Sequence, residues 1–331
     1  MAKGLSSYGL STIDIPHPFL ELNDFLLAAP GPAILSICMT LGIVQLGYFI
    51  ARKIRRGNTE PIDVMAACIT VVGLISSALY VLAAVGSVHF SVIRILGWVL
   101  ALLGLSWLWR WTPRLMEFWR EFRGVLFTMT LMEKTTIGLL FMIAIGLLGA
   151  SLGPATDGDS LHYHLAAPLE WLRTGGITVR SDWYSYRFAG VSHSLNMFGV
   201  ASGTDSFGAV LQCFGLAVVG VGTAQLARKR EDKLFTLLLI MACPVIVSLT
   251  STQKFHLLPA AATTTALVLA HARIKSFDIP SMVLAFCCLA FALGSKYFFA
   301  ISGTMVLCYC MFAARCTGNL RIAVLIACVA F

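Results

Sequence analysis

The stretch TIGLLFMIAIGLLGASLG, residues 136–153, decides the fold of this chain because it contains no charged residue. A run of about 17 to 25 apolar residues is long enough to cross a bilayer as an α-helix. Similar runs recur along the sequence, and they predict nine spanning helices and the beginning of a tenth. Their predicted ranges are 31–51, 63–86, 92–109, 136–153, 206–226, 234–251, 258–272, 280–294, 297–314 and a last run that begins near Arg321.

The composition of the 331 residues agrees with a membrane protein. Hydrophobic residues make up 58% of the chain, charged residues make up 12%, and the mean hydropathy is +0.84. A soluble domain carries about 25% charged residues, so a water-soluble enzyme is excluded. High hydrophobicity with low charge also excludes a disordered chain. We therefore predict an all-α, polytopic membrane protein with about nine to ten transmembrane helices.

The distribution of lysine and arginine predicts the orientation of these helices, because basic residues concentrate in cytoplasmic loops. If the N-terminus is extracytoplasmic, the cytoplasmic loops hold 17 of the 24 basic residues and the outside holds 7. The net charge of +8 is then explained by membrane topology, and we expect no nucleic-acid partner. The predicted cytoplasmic residues are Arg52, Lys53, Arg55, Arg56, Arg110, Arg114, Arg120, Arg123, Lys134, Arg228, Lys229, Arg230, Lys233, Arg273, Lys275, Arg315 and Arg321.

One predicted outside loop, residues 154–205, is too long to be a simple connection. Loops longer than about 15 residues are usually functional or disordered, and the aromatic residues in this loop favour order. Leucines recur at helical spacing from Leu161 to Leu172, and Gly175–Gly176 follows them. We therefore expect an amphipathic helix in the outer membrane interface, capped by Asp159 or Ser160 and ended by the two glycines.

Two carboxylates, Asp157 and Asp159, lie where the fourth spanning helix meets this loop. A partly desolvated carboxylate there has a raised pKa and suits a general base. The alternative is a solvated turn with a helix cap. A divalent metal between the two aspartates would have too few protein ligands to be assigned. His162 and His164 are two residues apart, which is not the spacing of a zinc pair on a helix.

Further basic residues are predicted on the same outer side, at helix ends. Lys254 and His256 precede the helix predicted at 258–272, and Lys296 lies between two other predicted helices. Such cations either extend toward lipid headgroups or converge on an anionic group such as a lipid phosphate. The sequence leaves both interpretations open.

The run from Asp159 to Leu165, DSLHYHL, is followed by Pro168, by Trp171-Leu172 and by a glycine turn. This pattern resembles a segment of bacterial membrane proteins of the GT-C glycosyltransferase superfamily, which are related to protein O-mannosyltransferases and aminoarabinose transferases. The turn Gly294-Ser295-Lys296-Tyr297 is also similar to one found in such proteins. The resemblance covers residues of about 136–331.

In that superfamily the acidic loop usually follows the first helix, whereas here three predicted helices precede it. We therefore predict an N-terminal three-helix membrane extension at residues 1–130. A GT-C-like membrane module would follow at 131–331, with the extracytoplasmic loop at 154–205. Because the last apolar run reaches Phe331, we expect the module to be truncated at its C-terminus.

The resemblance implies an inverting glycosyltransferase of the bacterial inner (plasma) membrane. Its donor would be a polyprenyl-phosphate-linked sugar, and its acceptor would be an unidentified hydroxyl of a glycan, lipid or protein. Asp159, or else Asp157, would be the catalytic base. The donor phosphate would meet Lys296, Lys254, His256 and Arg187, and the surrounding loop residues would be His162, Tyr163 and His164. No cofactor is assigned beyond the divalent metal that the aspartates allow.

Three other functions remain open from the sequence. The chain could be a transporter or flippase for a lipid-linked or polar solute, for which Pro244 within a span is a hint of a broken helix. It could be a non-catalytic scaffold that uses the long loop to bind partners. It could also be an O-antigen ligase or polymerase, although the large loop of those proteins usually lies late in the chain.

Overall fold

The computed structural model describes Leu27, residues 30–178 and residues 190–331, apart from the His162 side chain. Within these residues the chain is α-helical and contains no β-strand. A π-helical turn, Ser160–Leu165, precedes α5, and a 3-10 turn, Val191–Leu195, precedes α6. The α-helices are α1 (Gly31–Ile54), α2 (Pro61–Ala84), α3 (Phe90–Phe127), α4 (Leu131–Leu152), α5 (Ala166–Thr174), α6 (Asn196–Ser202), α7 (Phe207–Ala224), α8 (Arg230–Met241), α9 (Pro244–Thr250), α10 (Leu257–Ala272), α11 (Ile279–Ser295), α12 (Phe299–Cys316) and α13 (Leu320–Ala330).

Six of these helices, α1 to α4, α7 and α12, are long and apolar enough to cross a membrane. Helices α8 and α9 together make a seventh candidate span, which bends by 65° just before Pro244. The shorter apolar helices α10, α11 and α13 coincide with the remaining predicted runs. The predicted all-α, polytopic fold is therefore confirmed, and the chain is an integral membrane protein.

Helices α1 and α3 pack closely along a row of small residues. A Cβ atom at Gly104 would overlap the carbonyl oxygen of Cys38, and a Cβ atom at Gly42 would overlap the carbonyl oxygen of Leu100. Small residues that allow such backbone contact are typical of helix packing in membranes. One hydrophobic core then joins the helices on either side of residue 130, since it includes Ile69 of α2 and Leu289 of α11. The predicted division of the chain at residue 130 stays a prediction.

A buried ion network closes one end of the helix bundle. Asp63, at the start of α2, is fully buried and accepts hydrogen bonds from Arg55 (Nε–Oδ1, 2.9 Å) and Arg273 (Nη2–Oδ2, 2.7 Å). Arg55 also contacts Asp278, and Arg273 also contacts Glu60. This inner-end network joins the α1–α2 connection to the α10–α11 connection. The contact agrees with the predicted topology, in which successive connections alternate between the two sides of the membrane and both of these are cytoplasmic.

The opposite end of the bundle is closed by the segment predicted as a long loop. Its amphipathic helix is present as α5, and it ends at Gly175, whose φ of 81° favours glycine. An interfacial helix would turn its apolar face toward lipid, but α5 buries that face in the protein. Leu169 and Trp171 are 1% exposed because they pack against the bundle, and the Gly175 carbonyl accepts a hydrogen bond from the Val88 N–H at 2.8 Å.

The second half of the same predicted loop also belongs to the core. Every residue of α6 is buried, as are Ser192, His193, Ser194 and Leu195 in the turn before it. The prediction of one long surface loop was therefore wrong for residues 192–202, which form short elements with several polar residues yet are buried inside the protein.

Candidate active site

The acidic turn after α4 is held by hydrogen bonds to its own backbone and to a distant segment. Asp157 Oδ1 accepts a hydrogen bond from the Ser160 N–H at 3.0 Å, so Asp157 caps this turn, and neither Asp159 nor Ser160 does. The Ser160 hydroxyl in turn accepts a hydrogen bond from the Gln253 N–H at 2.9 Å. These bonds bring the acidic turn against the residues that precede α10.

Lys254 lies between the two predicted catalytic carboxylates. Its Nζ is 3.0 Å from Asp159 Oδ2 and 3.3 Å from Asp157 Oδ1. Although partial burial alone would lower the Lys254 pKa, hydrogen bonds and charge attraction from both aspartates raise it overall. Lys254 is thus a protonated partner of the acids at neutral pH.

The two carboxylates differ in their surroundings. Burial alone would raise the Asp157 pKa, but the hydrogen bonds from Ser160 and the charge of Lys254 lower it overall. The expectation that this carboxylate has a raised pKa was therefore wrong. The Asp157 side chain is 30% exposed and is held in place, whereas the Asp159 side chain is 63% exposed and has only Lys254 as an ion-pair partner among the described residues.

Lys296, the C-cap residue of α11, has different partners from Lys254. Its Nζ lies 3.5 Å from His256 Nε2 and 5.9 Å from the centre of the Phe298 ring. In the described part of the chain, no carboxylate lies within ion-pair distance of it. Burial and the nearby Lys254 lower the Lys296 pKa to about 8. Lys296 therefore stays mostly protonated at pH 7 and carries a charge that no neighbouring acid neutralises.

His256 is not a cation at neutral pH, contrary to the prediction from the sequence. Burial and the positive charges of Lys296 and Lys254 lower its pKa to about 4. A neutral imidazole can still donate one hydrogen bond to an anion. The ring stacks on Phe298 with 5.5 Å between the ring centres, which holds it beside Lys296.

One cavity of about 720 Å³ brings most of the predicted site residues together. Its polar lining comes from the acidic turn on one side and from the residues around Lys254 and Lys296 on the other. Aromatic residues form part of the remaining wall. Asp157 and His164 do not line the cavity. Arg187 is outside the described residues, as is the His162 side chain. The lining residues that carry polar or charged side chains are Tyr80, Asp159, Tyr163, Lys254, His256, Ser295, Lys296 and Tyr297.

Behind the cavity lies a pair of buried histidines. His164 and His193 are fully buried and stack with 4.4 Å between their ring centres, and Tyr163 packs on His164 at 4.0 Å. Burial lowers the pKa of His193 to about 3 and that of His164 further still, so both rings are neutral. Within the described residues, neither nitrogen of His164 has a hydrogen-bond partner.

Three residues of this site were not predicted from the sequence. Tyr80 lies within an apolar run of α2, and its hydroxyl gave no signal of a role. His193 and Gln253 are buried polar residues whose positions depend on contacts between distant segments. The clearest available signal was the polar cluster Ser251-Thr252-Gln253 directly before Lys254.

The carboxylates of the site are partnered by lysine. Among the described residues, no group of three or more histidine, cysteine, aspartate or glutamate side chains is arranged to hold a metal ion. Asp157 and Asp159 instead converge on Lys254. The divalent metal that the sequence allows therefore has no protein site that we can describe.

Comparison with known proteins identifies the family of the chain. No curated protein and no solved structure matches it significantly. A family model described as the DUF1420 N-terminal domain matches residues 125–330, which is more than half of the 331 residues and includes the whole described site apart from Tyr80. The chain therefore belongs to the DUF1420 N-terminal domain family.

Proposed function

We propose that this protein is a membrane glycosyltransferase that moves a sugar from a polyprenyl-phosphate donor to an acceptor hydroxyl. The observation that carries the proposal is the pairing, in one cavity, of an accessible carboxylate with an unneutralised lysine. Asp159 supplies the carboxylate and Lys296 supplies the cation. The resemblance of the segment from Asp159 to Leu165 to GT-C proteins supports the same reaction.

The reaction needs a base and a site for the departing phosphate, and the cavity offers both. Asp159 takes the proton of the acceptor hydroxyl as the hydroxyl oxygen attacks the anomeric carbon of the donor. The bond from that carbon to the phosphate oxygen breaks, and the phosphate leaves with the electron pair. Lys296 stabilises the charge that develops on the phosphate, and the neutral His256 donates a hydrogen bond. Displacement in one step inverts the anomeric configuration.

Lys254 has a different role in this proposal, which is to hold the two carboxylates in place. The ammonium group lies 3.0 Å from Asp159 Oδ2, so the ion pair orients the carboxylate that lines the cavity. Asp157 holds Lys254 in this position because it is itself fixed by Ser160. Of the predicted phosphate ligands, Lys296 is thus the strongest candidate, and Lys254 is assigned to the base.

The proposed orientation has the cavity on the extracytoplasmic side of a bacterial inner membrane, as the distribution of basic residues favours. Ser87 lies at the same end of the bundle as the cavity, and Asn58 lies at the end with the ion network; both are exposed. A cysteine introduced at Ser87 should react with a membrane-impermeant thiol reagent in intact cells, and one at Asn58 should not. The opposite labelling would reverse the proposed orientation.

The activity is tested with the purified full chain in proteoliposomes. Polyprenyl-phosphate-linked hexoses and pentoses are supplied in turn with membrane lipid and glycan extracts as acceptors, and release of polyprenyl phosphate is measured. We expect release with the unmodified protein and a loss of about a hundredfold in Asp159→Asn, on the scale usual for a general base. Release that is equal in both proteins would remove Asp159 from the mechanism.

A second candidate, a transporter or flippase, is favoured by one observation. The span formed by α8 and α9 is bent by 65°, and broken helices are typical of substrate sites in transporters. The same proteoliposomes distinguish the two functions, since a flippase moves a fluorescent polyprenyl-phosphate lipid between leaflets without breaking a bond. Movement without release of sugar would favour the transporter, and release without movement would favour the transferase.

A further inference from the structure

Helix α3 is longer than a membrane crossing requires. It has 38 residues, which corresponds to about 57 Å at the usual rise, whereas the hydrocarbon core is about 30 Å thick. Its first part runs beside α1, and Trp111 packs edge-to-face on Tyr48 with 5.7 Å between ring centres. Helix α1 ends soon afterwards at Ile54, with Arg52 and Lys53 in its last turn. From there α3 continues beyond α1, and in the part of the chain that the structure describes none of its residues after Gly104 is buried.

The part of α3 from Trp111 to Phe127 has two distinct faces. Apolar residues recur three and four positions apart and form one stripe; Arg114 and Glu121 flank the stripe, and Glu117, Arg120 and Arg123 lie on the other side of the helix. The protein does not cover the stripe, since Leu115 is 49% exposed and Phe118 is 61% exposed. The stripe consists of Trp111, Leu115, Phe118, Phe122 and Val125.

The connection to α4 limits where this segment can point. Only Thr128, Met129 and Thr130 separate it from α4, which spans the membrane and starts at Leu131. The start of α4 is held at the bundle, because Glu133 binds Arg230 at the start of α8. If the segment continued straight away from the membrane, Phe127 would lie about 24 Å beyond Trp111. The four chain steps from Phe127 to Leu131 reach at most about 14 Å. The segment must therefore tilt strongly toward the membrane surface.

We propose that Trp111–Phe127 is an interfacial anchor that binds anionic lipids on the side of the membrane opposite the cavity. Its apolar stripe enters the outer part of the acyl chains, and its arginines contact lipid phosphates. The charges fit this partner, since Arg114, Arg120 and Arg123 outnumber Glu117 and Glu121.

The aromatic content of the segment also favours lipid. Tryptophan and arginine are suited to the boundary between headgroups and acyl chains, where the ring meets lipid and the guanidinium reaches the phosphates. The Arg114 guanidinium already lies over the Trp111 ring, 4.8 Å from its centre. Pro113 within the helix removes one backbone donor and is a site where α3 can bend toward the membrane plane.

The proposal is tested by the depth of a nitroxide carried on a genetically encoded ketone residue, which avoids the ten native cysteines. The full chain is reconstituted at one copy per nanodisc, with the label at Phe118 or at Arg120, and collision with oxygen and with a water-soluble nickel complex is measured. We expect oxygen collisions to dominate at Phe118 and nickel collisions to dominate at Arg120. Nickel collisions that dominate at both positions, or protection of both positions from both reagents, would overturn the proposal.

The lipid preference has its own measurement. In nanodiscs of phosphatidylcholine, we compare the association of spin-labelled phosphatidylglycerol with that of spin-labelled phosphatidylcholine. Replacing Arg114, Arg120 and Arg123 together by glutamine should lower the preference for phosphatidylglycerol by at least about fivefold, the size expected for loss of even one basic residue near the surface. Lys229→Gln is the control, because Lys229 is exposed in a loop and faces Glu231; it should change the preference less than twofold. Equal effects in the two variants would contradict a specific role for this segment.

Discussion

The two ends of the helix bundle hold charged residues in contrasting ways. At the inner-end network, Asp63 is fully buried and both of its oxygens are bound by arginines. At the cavity end, Asp159 is 63% exposed with one partner, and Lys296 has no carboxylate partner among the described residues. Both ends join loops that are far apart in sequence. The difference is that every charged group of the ion network touches an opposite charge, whereas at the cavity end Lys296 touches none among the described residues and is free to meet a ligand.

This contrast separates two uses of charge in one membrane protein. A buried pair whose hydrogen bonds are all made joins helices and has nothing left to offer a ligand. An incompletely paired cluster that borders a cavity destabilises the protein slightly and is typical of functional sites. The predictions below test whether the two ends differ in this way.

The largest effect is expected at the inner-end network. Asp63→Asn removes the buried charge shared by Arg55 and Arg273 and leaves each arginine with only its more exposed acidic partner, which should lower the free energy of unfolding by about 3–5 kcal/mol. Denaturant unfolding of the protein in bicelles measures this change. Glu231→Gln breaks the exposed pair with Lys229 and should cause no measurable change. Similar losses in both variants would show that the network is not a special structural feature.

The two aspartates of the cavity should separate stability from activity. Asp157→Ala removes the cap on the Ser160 N–H, so we expect a loss of about 1 kcal/mol in the free energy of unfolding, as for other caps. Asp159→Ala should leave stability unchanged, since that side chain makes no such bond, but should lower sugar transfer about a hundredfold. Unfolding and transfer are measured on the same preparations. A stability loss confined to Asp159→Ala would reverse the roles that we assign.

Binding of an anionic headgroup should depend on pH through Lys296. Its pKa of about 8 means that the ammonium is present below pH 8 and is lost as the pH rises through that value. The affinity for polyprenyl phosphate should therefore fall between pH 7 and pH 9, by at most about tenfold for each pH unit. Above pH 7 a phosphate monoester is already almost fully ionised, so the ligand does not add to the change.

Two variants identify the group responsible for that pH dependence. Lys296→Arg keeps its charge over the whole range and should make binding independent of pH between 7 and 9. Lys275→Ala, at an exposed position on the other end of the bundle, should keep the pH dependence of the unmodified protein. A pH dependence that persists in Lys296→Arg would assign the titration to another group.

The smallest effect is expected at the histidine pair. His164→Phe keeps the stacking on His193 and Tyr163 but removes two buried nitrogens that lack hydrogen-bond partners among the described residues. Relief of that desolvation should raise the free energy of unfolding by about 1 kcal/mol. If the pair supports the site, sugar transfer should fall in the same variant. A variant that is both less stable and fully active would contradict this interpretation.

The fold could be predicted from the sequence because a bilayer requires long apolar helices, and the apolar runs along the chain then give their approximate positions. The number of spans was less certain, since six helices are long and apolar enough to cross a membrane and three others are shorter. The end of α5 at Gly175 could also be predicted, since the turn requires a positive φ, which glycine adopts readily. The buried helix α6 was not, because Asn196 and Ser202 are polar residues that are usually exposed. Their burial depends on packing against helices far away in the sequence.

The residue types of the candidate site could be predicted from the sequence. Which lysine pairs with the aspartates could not. Lys254 and Lys296 are both lysines at helix ends on one side of the membrane, and the sequence does not distinguish them. Only the structure assigns Lys254 to the acids and leaves Lys296 beside a neutral His256. Arg187 stays a prediction, since it lies outside the described residues.

The inner-end network also has a consequence for how the protein is made. Arg55 and Asp63 are near the beginning of the chain, whereas Arg273 and Asp278 follow more than 200 residues later. At about 5–20 residues per second, a ribosome needs on the order of ten to forty seconds to synthesise the residues between them. If the helices insert as they are synthesised, Arg55 and Asp63 in the hairpin of α1 and α2 lack Arg273 and Asp278 as partners during that interval. The first helices are thus inserted in a provisional state, which arrival of the α10–α11 hairpin completes.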